Sequence, residues 1–191
     1  MPFVRTIAPE AAEGELREIY RAIGGVRGGI ADIHQVQSLN PRALQAHLEL
    51  YKAIVFQRST LSRLQRERIA VAVSAANQCA YCVAHHGESL RQLGEPVDRV
   101  AELSRGQTPA GLPHLDAVIL AWARTAAVAP WSCGEADVAQ LRAHGLDDRG
   151  VLDAALTVAY FSFVNRLVLL LGVQVEQGFE ATCHPALQED R

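Results

Sequence analysis

Cys79-Ala80-Tyr81-Cys82-Val83-Ala84-His85-His86, with Glu67 twelve positions upstream, is the stretch on which the reading of this chain turns. At 3.6 residues per turn, Cys79, Cys82 and His86 fall within a sector of about 60° on one helix. The stretch is therefore expected to be helical, with two thiols and a base on a single stripe. His85 lies about 120° round from Cys79 and cannot serve both sulfurs.

This pattern suits redox chemistry. A thiolate rather than a thiol attacks peroxides and disulfides, and a helix N-terminus, a nearby cation or a partner thiol all lower a thiol pKa. Cys79 opens its helix, where the macrodipole is positive. Cys82 is one turn from His86, and the two cysteines are spaced to close a disulfide. Zinc is the second reading, with Cys79, Cys82 and His86 as three ligands; a structural site usually wants a fourth, which Cys133 or Cys183 would have to supply from far away.

Glu67 enters through topology. If its helix and the cysteine helix turn back on each other near Gln78, residues whose numbers sum to roughly 156 face each other, and Glu67 comes within reach of His86 directly or through one water. A carboxylate there would orient the imidazole and raise its basicity.

Outward from this centre the pattern stays helical. Apolar positions Ala11, Leu16, Ile19, Tyr20 and Ile23 predict a helix over 9–23 that stops at Gly24-Gly25, followed by a loop to Gly29. Asn40 and Pro41 read as N-cap and first residue of a helix to about Phe56. Ser62 and Gln65 form a capping box for the Glu67 helix. Gly94 closes the cysteine helix, and further helices are expected over 96–103 and 113–128. Ser132 and Glu135 suggest another capping box, for a helix to His144. Asp147 or Asp148 caps a long apolar helix to Leu171, closed by Gly172. No alternating strand is evident. The fold class expected is all-α, about eight helices in one bundle-like domain spanning 1–191, with 131–191 supplying its C-terminal helices.

The bulk properties fit this. The 191 residues are 49% hydrophobic and 20% charged, with a net charge of −3, values of a globular chain with no basic patch to recommend a nucleic-acid or anionic-membrane partner. The N-terminus Met-Pro-Phe-Val-Arg lacks a signal-peptide pattern, and the run Leu167 to Val175 is too short to span a bilayer. A cytoplasmic location is expected. Thiols there are kept reduced, which favours a catalytic or metal-binding pair over a structural disulfide. Trp122 and Trp131 read as core or interface anchors. Asn165 and Arg166 interrupt an apolar helix as caps or interface residues. Cys133 and the C-terminal Cys183-His184 pair fall outside the motif.

Glu67, eleven intervening residues, and the run Cys79 to His86 resemble the alkylhydroperoxidase D / carboxymuconolactone decarboxylase superfamily. Leu61-Ser62, Ser74-Ala75-Ala76-Asn77, Gly94 and the segment Tyr160 to Gly172 resemble the flanks of its peroxidase-related subgroup. The resemblance is strong over about residues 40 to 130 and implies an all-α bundle that assembles as a trimer or as a hexamer built from dimers. It implies a thiol peroxidase, with no metal and no organic cofactor. In it Cys82 attacks a hydroperoxide, Cys79 resolves the sulfenic acid as a disulfide, and Glu67 and His86 relay the proton; an external dithiol or protein reductant restores the thiols. The position between the cysteines, often His in that branch, is Tyr81 here. The alternative is a non-peroxidase member of the same fold: a thiol–disulfide oxidoreductase, or a metal- or small-molecule-binding protein.

Overall fold

The computed structural model describes residues 2–27, 29–176 and 179. Among these there are nine α-helices and no strand: α1 (Gly14–Arg27), α2 (Asp32–Gln35), α3 (Pro41–Val55), α4 (Arg63–Ala76), α5 (Ala80–Gln92), α6 (Val97–Ser104), α7 (His114–Val128), α8 (Glu135–Ala143) and α9 (Asp148–Leu171). The all-α expectation holds. The helix beyond the expected eight is α2, four residues long and too short to leave a periodic signal. By contact the chain divides into two compact units, Met1–Leu50 with Leu167–Arg191, and Tyr51–Arg166.

In the first unit, Leu16, Ile19, Tyr20 and Ile23 of α1 line up at helical spacing and pack with Ala12 against Leu44 and Leu48 of α3. The bounds of α1 differ from those expected. Pro9–Ala11 is a separate 3-10 turn, α1 begins at Gly14, and it runs through Gly24-Gly25 to Arg27. A glycine pair weakens a helix by about 1 kcal/mol per residue. The packing of the apolar face outweighs that here. Asn40 caps α3 as expected, its Oδ1 accepting from Ala43 N at 3.1 Å. Phe3 N donates to Leu171 O at 2.9 Å. Gly172, with φ 65°, is required there, because a Cβ would come within 2.6 Å of the Phe3 ring.

In the second unit, α4 is the central element: Arg66 through Ser74 are all buried. Its start is the expected capping box, Ser62 Oγ accepting from Gln65 N while Gln65 Oε1 accepts from Ser62 N. Val71 and Ala72 pack with Leu90, Val100, Leu103 and Leu120 of α5, α6 and α7. Burying α4 on every side also buries two of its arginines, and each meets carboxylates. Arg66 pairs with Asp153 of α9 at 3.0 Å, and Arg68 pairs with Glu95 and Asp116. The cap of α8 departs from expectation. Gly134 is the N-cap, its N–H donating to Asp137 Oδ2 at 2.7 Å, while Ser132 closes a 3-10 turn by donating to Ala129 O. A Ser three before a Glu was the tempting pair; Pro130 holds Ser132 in the preceding turn.

Helix α9 is 24 residues long, and its most apolar window has mean hydropathy 1.8. Length and composition would suffice to cross a membrane. Its inward positions are committed to protein partners: Asp153 to Arg66, and Asn165 to Ser74 and Asn77.

A candidate active site on the α4–α5 hairpin

The hairpin places the sequence-predicted residues, and its turn is a strained one. Asn77 caps α4, Gln78 takes φ 57°, and Cys79 N returns to Ser74 O at 2.8 Å. Gln78 is the one non-glycine with positive φ among the described residues. A left-handed conformation costs an ordinary residue about 1–2 kcal/mol. It lets α5 begin at once, with Cys79 as N-cap and Cys82 in the first turn.

Glu67 and His86 meet across the hairpin, Glu67 Oε2 lying 2.7 Å from His86 Nδ1. The carboxylate is fully buried and the imidazole 14% exposed. The other oxygen, Oε1, accepts from Arg63 Nε at 3.0 Å and from Arg63 Nη2, and the Arg63 guanidinium lies 3.9 Å from the centre of the Phe56 ring. Burial alone would raise the Glu67 pKa. The His86 charge and hydrogen bond, with Arg63, outweigh burial and hold it below the ordinary value. The far side of His86 meets the edge of Phe161 at 4.5 Å between centroids. A carboxylate on one nitrogen fixes the imidazole's tautomer and leaves Nε2 as the reactive atom.

Cys79 and Cys82 are both buried free thiols. They are unequal. A hydrogen bond from Cys82 pulls the Cys79 pKa down against its burial, helped by the backbone N–H of Cys82, the Asn165 amide and the Tyr81 N–H. The N–H groups of the first turn do this without closing a formal side-chain cap. For Cys82 the partner thiol, burial and the Cys79 charge raise the pKa well above the ordinary thiol value, with Asn165 and Ser74 opposing.

The sulfurs' leading partners are thus each other, Asn165 and Ser74, while His86 is engaged by Glu67. Among the described residues no three His, Cys, Asp or Glu side chains stand close enough to hold a metal ion. Cys79, Cys82 and His86 are therefore not gathered as zinc ligands. The site is two adjacent pairs, a dithiol and a carboxylate–imidazole, on one hairpin.

Sequence reasoning missed Asn165, Ser74, Asn77 and Arg63 as members of the site. Asn165 is fully buried; it accepts from Asn77 Nδ2 and donates to Ser74 Oγ, each at 3.0 Å. The signal available was the polar residue itself, an Asn in the apolar run Tyr160 to Leu171, which the sequence alone reads as a cap or an interface residue. Arg63 stands four before Glu67, the spacing of a helical ion pair. Of the other candidates, His85 packs against Tyr81 at 4.3 Å between ring centroids. Trp131 is 82% exposed, so among the described residues it is not a core anchor. Cys133 is half-buried, its thiol pushed up by burial and by Asp137. Cys183 and His184 lie outside the described residues.

Residues 41–125 match the carboxymuconolactone decarboxylase family model, the segment holding Glu67, both cysteines and His86. No curated protein matches the sequence. Among solved structures, the chain is similar to the alkylhydroperoxidase AhpD core of an uncharacterized peroxidase-related protein from Ralstonia eutropha JMP134, at 26% identity and TM-score 0.85, over 93% of this chain and 94% of that one. It is also similar to an uncharacterized peroxidase-related protein from Silicibacter sp. TM1040, at 27% identity and TM-score 0.80, over 89% of each. A variant of the debrominase Bmp8 in complex with 2,3,4-tribromopyrrole shares the fold at 18% identity and TM-score 0.76, over 95% of this chain and 97% of that one. The resemblance to the alkylhydroperoxidase D / carboxymuconolactone decarboxylase superfamily is borne out.

Proposed function

We propose that the protein is a thiol-dependent peroxidase that reduces hydroperoxides through a redox-active Cys79–Cys82 disulfide, with Glu67 and His86 as its proton relay. The observation that carries this is the buried Glu67 carboxylate, divided between Arg63 and His86 on the hairpin that also bears two hydrogen-bonded, unequal thiols. Similarity to two peroxidase-related proteins supports it.

The reaction balances with the dithiol as reductant. One sulfur attacks a peroxide oxygen: an S–O bond forms, the O–O bond breaks, and the leaving alkoxide takes a proton. The second sulfur displaces hydroxide from the sulfenic acid, forming the disulfide and, with a proton, water. The resemblance gives the attack to Cys82. His86, held by Glu67, moves protons to the leaving oxygens, through water where it does not reach them directly. An external dithiol or protein reductant restores both thiols by exchange. The burial of both sulfurs favours small or slender hydroperoxides. The reading needs no metal or organic cofactor, and it places the protein in the reducing cytoplasm as a homo-oligomer.

The test is peroxide consumption coupled to a dithiol in wild type, Cys79→Ser and Cys82→Ser. Each single variant loses turnover. Consumption that survives in both variants overturns the reading. A pair that exchanges with disulfides while ignoring peroxide would make this a thiol–disulfide oxidoreductase on the same fold, on which Bmp8 shows other chemistry also occurs.

A further inference from the structure

Arg63, one turn ahead of Glu67 on α4, is built into the carboxylate–imidazole pair. Its Nε and Nη2 both donate to Glu67 Oε1, Nε at 3.0 Å. That commits one carboxylate oxygen and leaves Oε2 to His86 Nδ1, at 2.7 Å. The guanidinium rests on the Phe56 ring, 3.9 Å from the ring centre. Its side chain is 27% exposed, enough to keep its own charge solvated while its donors reach a fully buried carboxylate. The other carboxylates paired with α4 go elsewhere. Asp153 of α9 pairs with Arg66, and Asp116 of α7 and Glu95, just before α6, pair with Arg68. Against burial, His86 and Arg63 are the charges that hold the Glu67 carboxyl below its ordinary value. What α9 sets against His86 is uncharged, the edge of Phe161 at 4.5 Å between centroids.

Charge balance decides what Arg63 does there. Arg63 is positive and Glu67 negative, so the three groups are neutral together when His86 is neutral. A net charge left in a buried cluster is costly, and such a cluster takes up or loses a proton rather than keep it. Without the guanidinium, the carboxylate's remaining charge partner is His86. Neutrality then needs one more proton on the pair. Held by the ring, that proton sits on Nε2. Held by Glu67, it is donated to Nδ1, and the ring's own hydrogen moves to Nε2. Either way the lone pair of Nε2 is lost. We infer that Arg63 is a positioning residue of the relay: its guanidinium, seated on Phe56, supplies the counter-charge of Glu67, so that His86 stays neutral with its hydrogen on Nδ1 and Nε2 open to take a proton. This deepens the peroxidase reading and rests on it only for the use made of Nε2.

The test follows the imidazole nitrogens of His86 by 15N NMR against pH. The background is Cys79→Ser with Cys82→Ser, which removes the two thiols that titrate on the same helix. With Arg63 in place, the hydrogen is expected on Nδ1 and Nε2 is expected bare at pH 8. Arg63→Gln keeps a donor for Oε1 but drops the charge. It should move the pH at which Nε2 gains its proton up by about one unit or more, roughly tenfold in the ionisation constant. Arg63→Lys, which restores the charge, should bring that point most of the way back. A merely structural role for Arg63 would not give this shift and rescue, and circular dichroism checks that each variant is folded. With both cysteines present, the acid limb of kcat/KM for a hydroperoxide should move up in Arg63→Gln by the same amount. A hydrogen on Nε2 at pH 8 with Arg63 in place overturns the inference, whether or not the variants fold. So does a protonation point that Arg63→Gln leaves unmoved; peroxide turnover surviving beside that result would leave the peroxidase reading standing. If the point moves as expected while the unsubstituted protein consumes no peroxide, the peroxidase reading fails and the role of Arg63 stands.

Discussion

Glu67 shows how a single residue is tied to both stability and chemistry. Its carboxylate is fully buried, and Arg63 and His86 make it tolerable there. Removing one partner of a buried pair leaves the others uncompensated, at a cost of roughly 3–5 kcal/mol. Glu67→Gln is expected to destabilise on that order and to lower peroxidase kcat/KM by about 10²-fold, the scale of a lost proton-transfer aid. The pH dependence has a definite sign. The folded carboxyl titrates below its ordinary value of 4.5, so its stabilisation is complete above that value and disappears as pH falls through the folded pKa. Denaturant midpoints measured from pH 6 down to pH 3 should therefore fall more steeply in wild type than in Glu67→Gln. The Glu67–His86 contact was legible because helix rise fixes which residues of a hairpin face each other. Asn165 was not, since its partners Ser74 and Asn77 are about 90 positions away in sequence and no local period brings them together.

At the scale of the element, α3 carries a second buried histidine system. His47 lies beside Gln37, with Nδ1 2.8 Å from Nε2, and its ring meets His34 edge-on at 5.9 Å. Burial lowers the His47 pKa from 6.5 to about 4. The folded state therefore holds this imidazole neutral where the unfolded chain would protonate it. Its contribution is complete above pH 6.5 and is lost as pH falls toward 4. Between pH 7 and 5 this amounts to about 2 kcal/mol. Urea midpoints at those two pH values should differ accordingly in wild type and converge in His47→Gln; equal slopes in both would contradict it. Element boundaries were legible where a side chain signals them, as at Ser62 with Gln65 and at Asn40. They were misread where packing decided, as when α1 continued through its glycine pair, and where two caps competed, as with Ser132 and Gly134.

At the scale of the whole molecule, α9 turns one face inward and leaves another apolar face in solvent, with Leu152 54%, Leu156 37% and Phe163 44% exposed. Beside that face, Trp122, Ala126 and Pro130 line a groove with Ala155, Ala159 and Phe163 of about 450 Å³. Large exposed apolar patches mark association surfaces. Light scattering is expected to give a mass above that of one 20.7 kDa chain, shifted toward it by Leu152→Asp with Leu156→Asp; a wild-type monomer would contradict this. The sequence showed that α9 was long and largely apolar, but not which of its faces the fold would cover. The central claim, a peroxide-driven disulfide within the hairpin, is tested most directly by intact mass after one equivalent of an organic hydroperoxide, followed by thiol alkylation. The expected product is lighter by two hydrogens, with Cys79 and Cys82 both protected from alkylation, and no such disulfide product forms when either is replaced by serine. An unchanged mass with both thiols still present would contradict it.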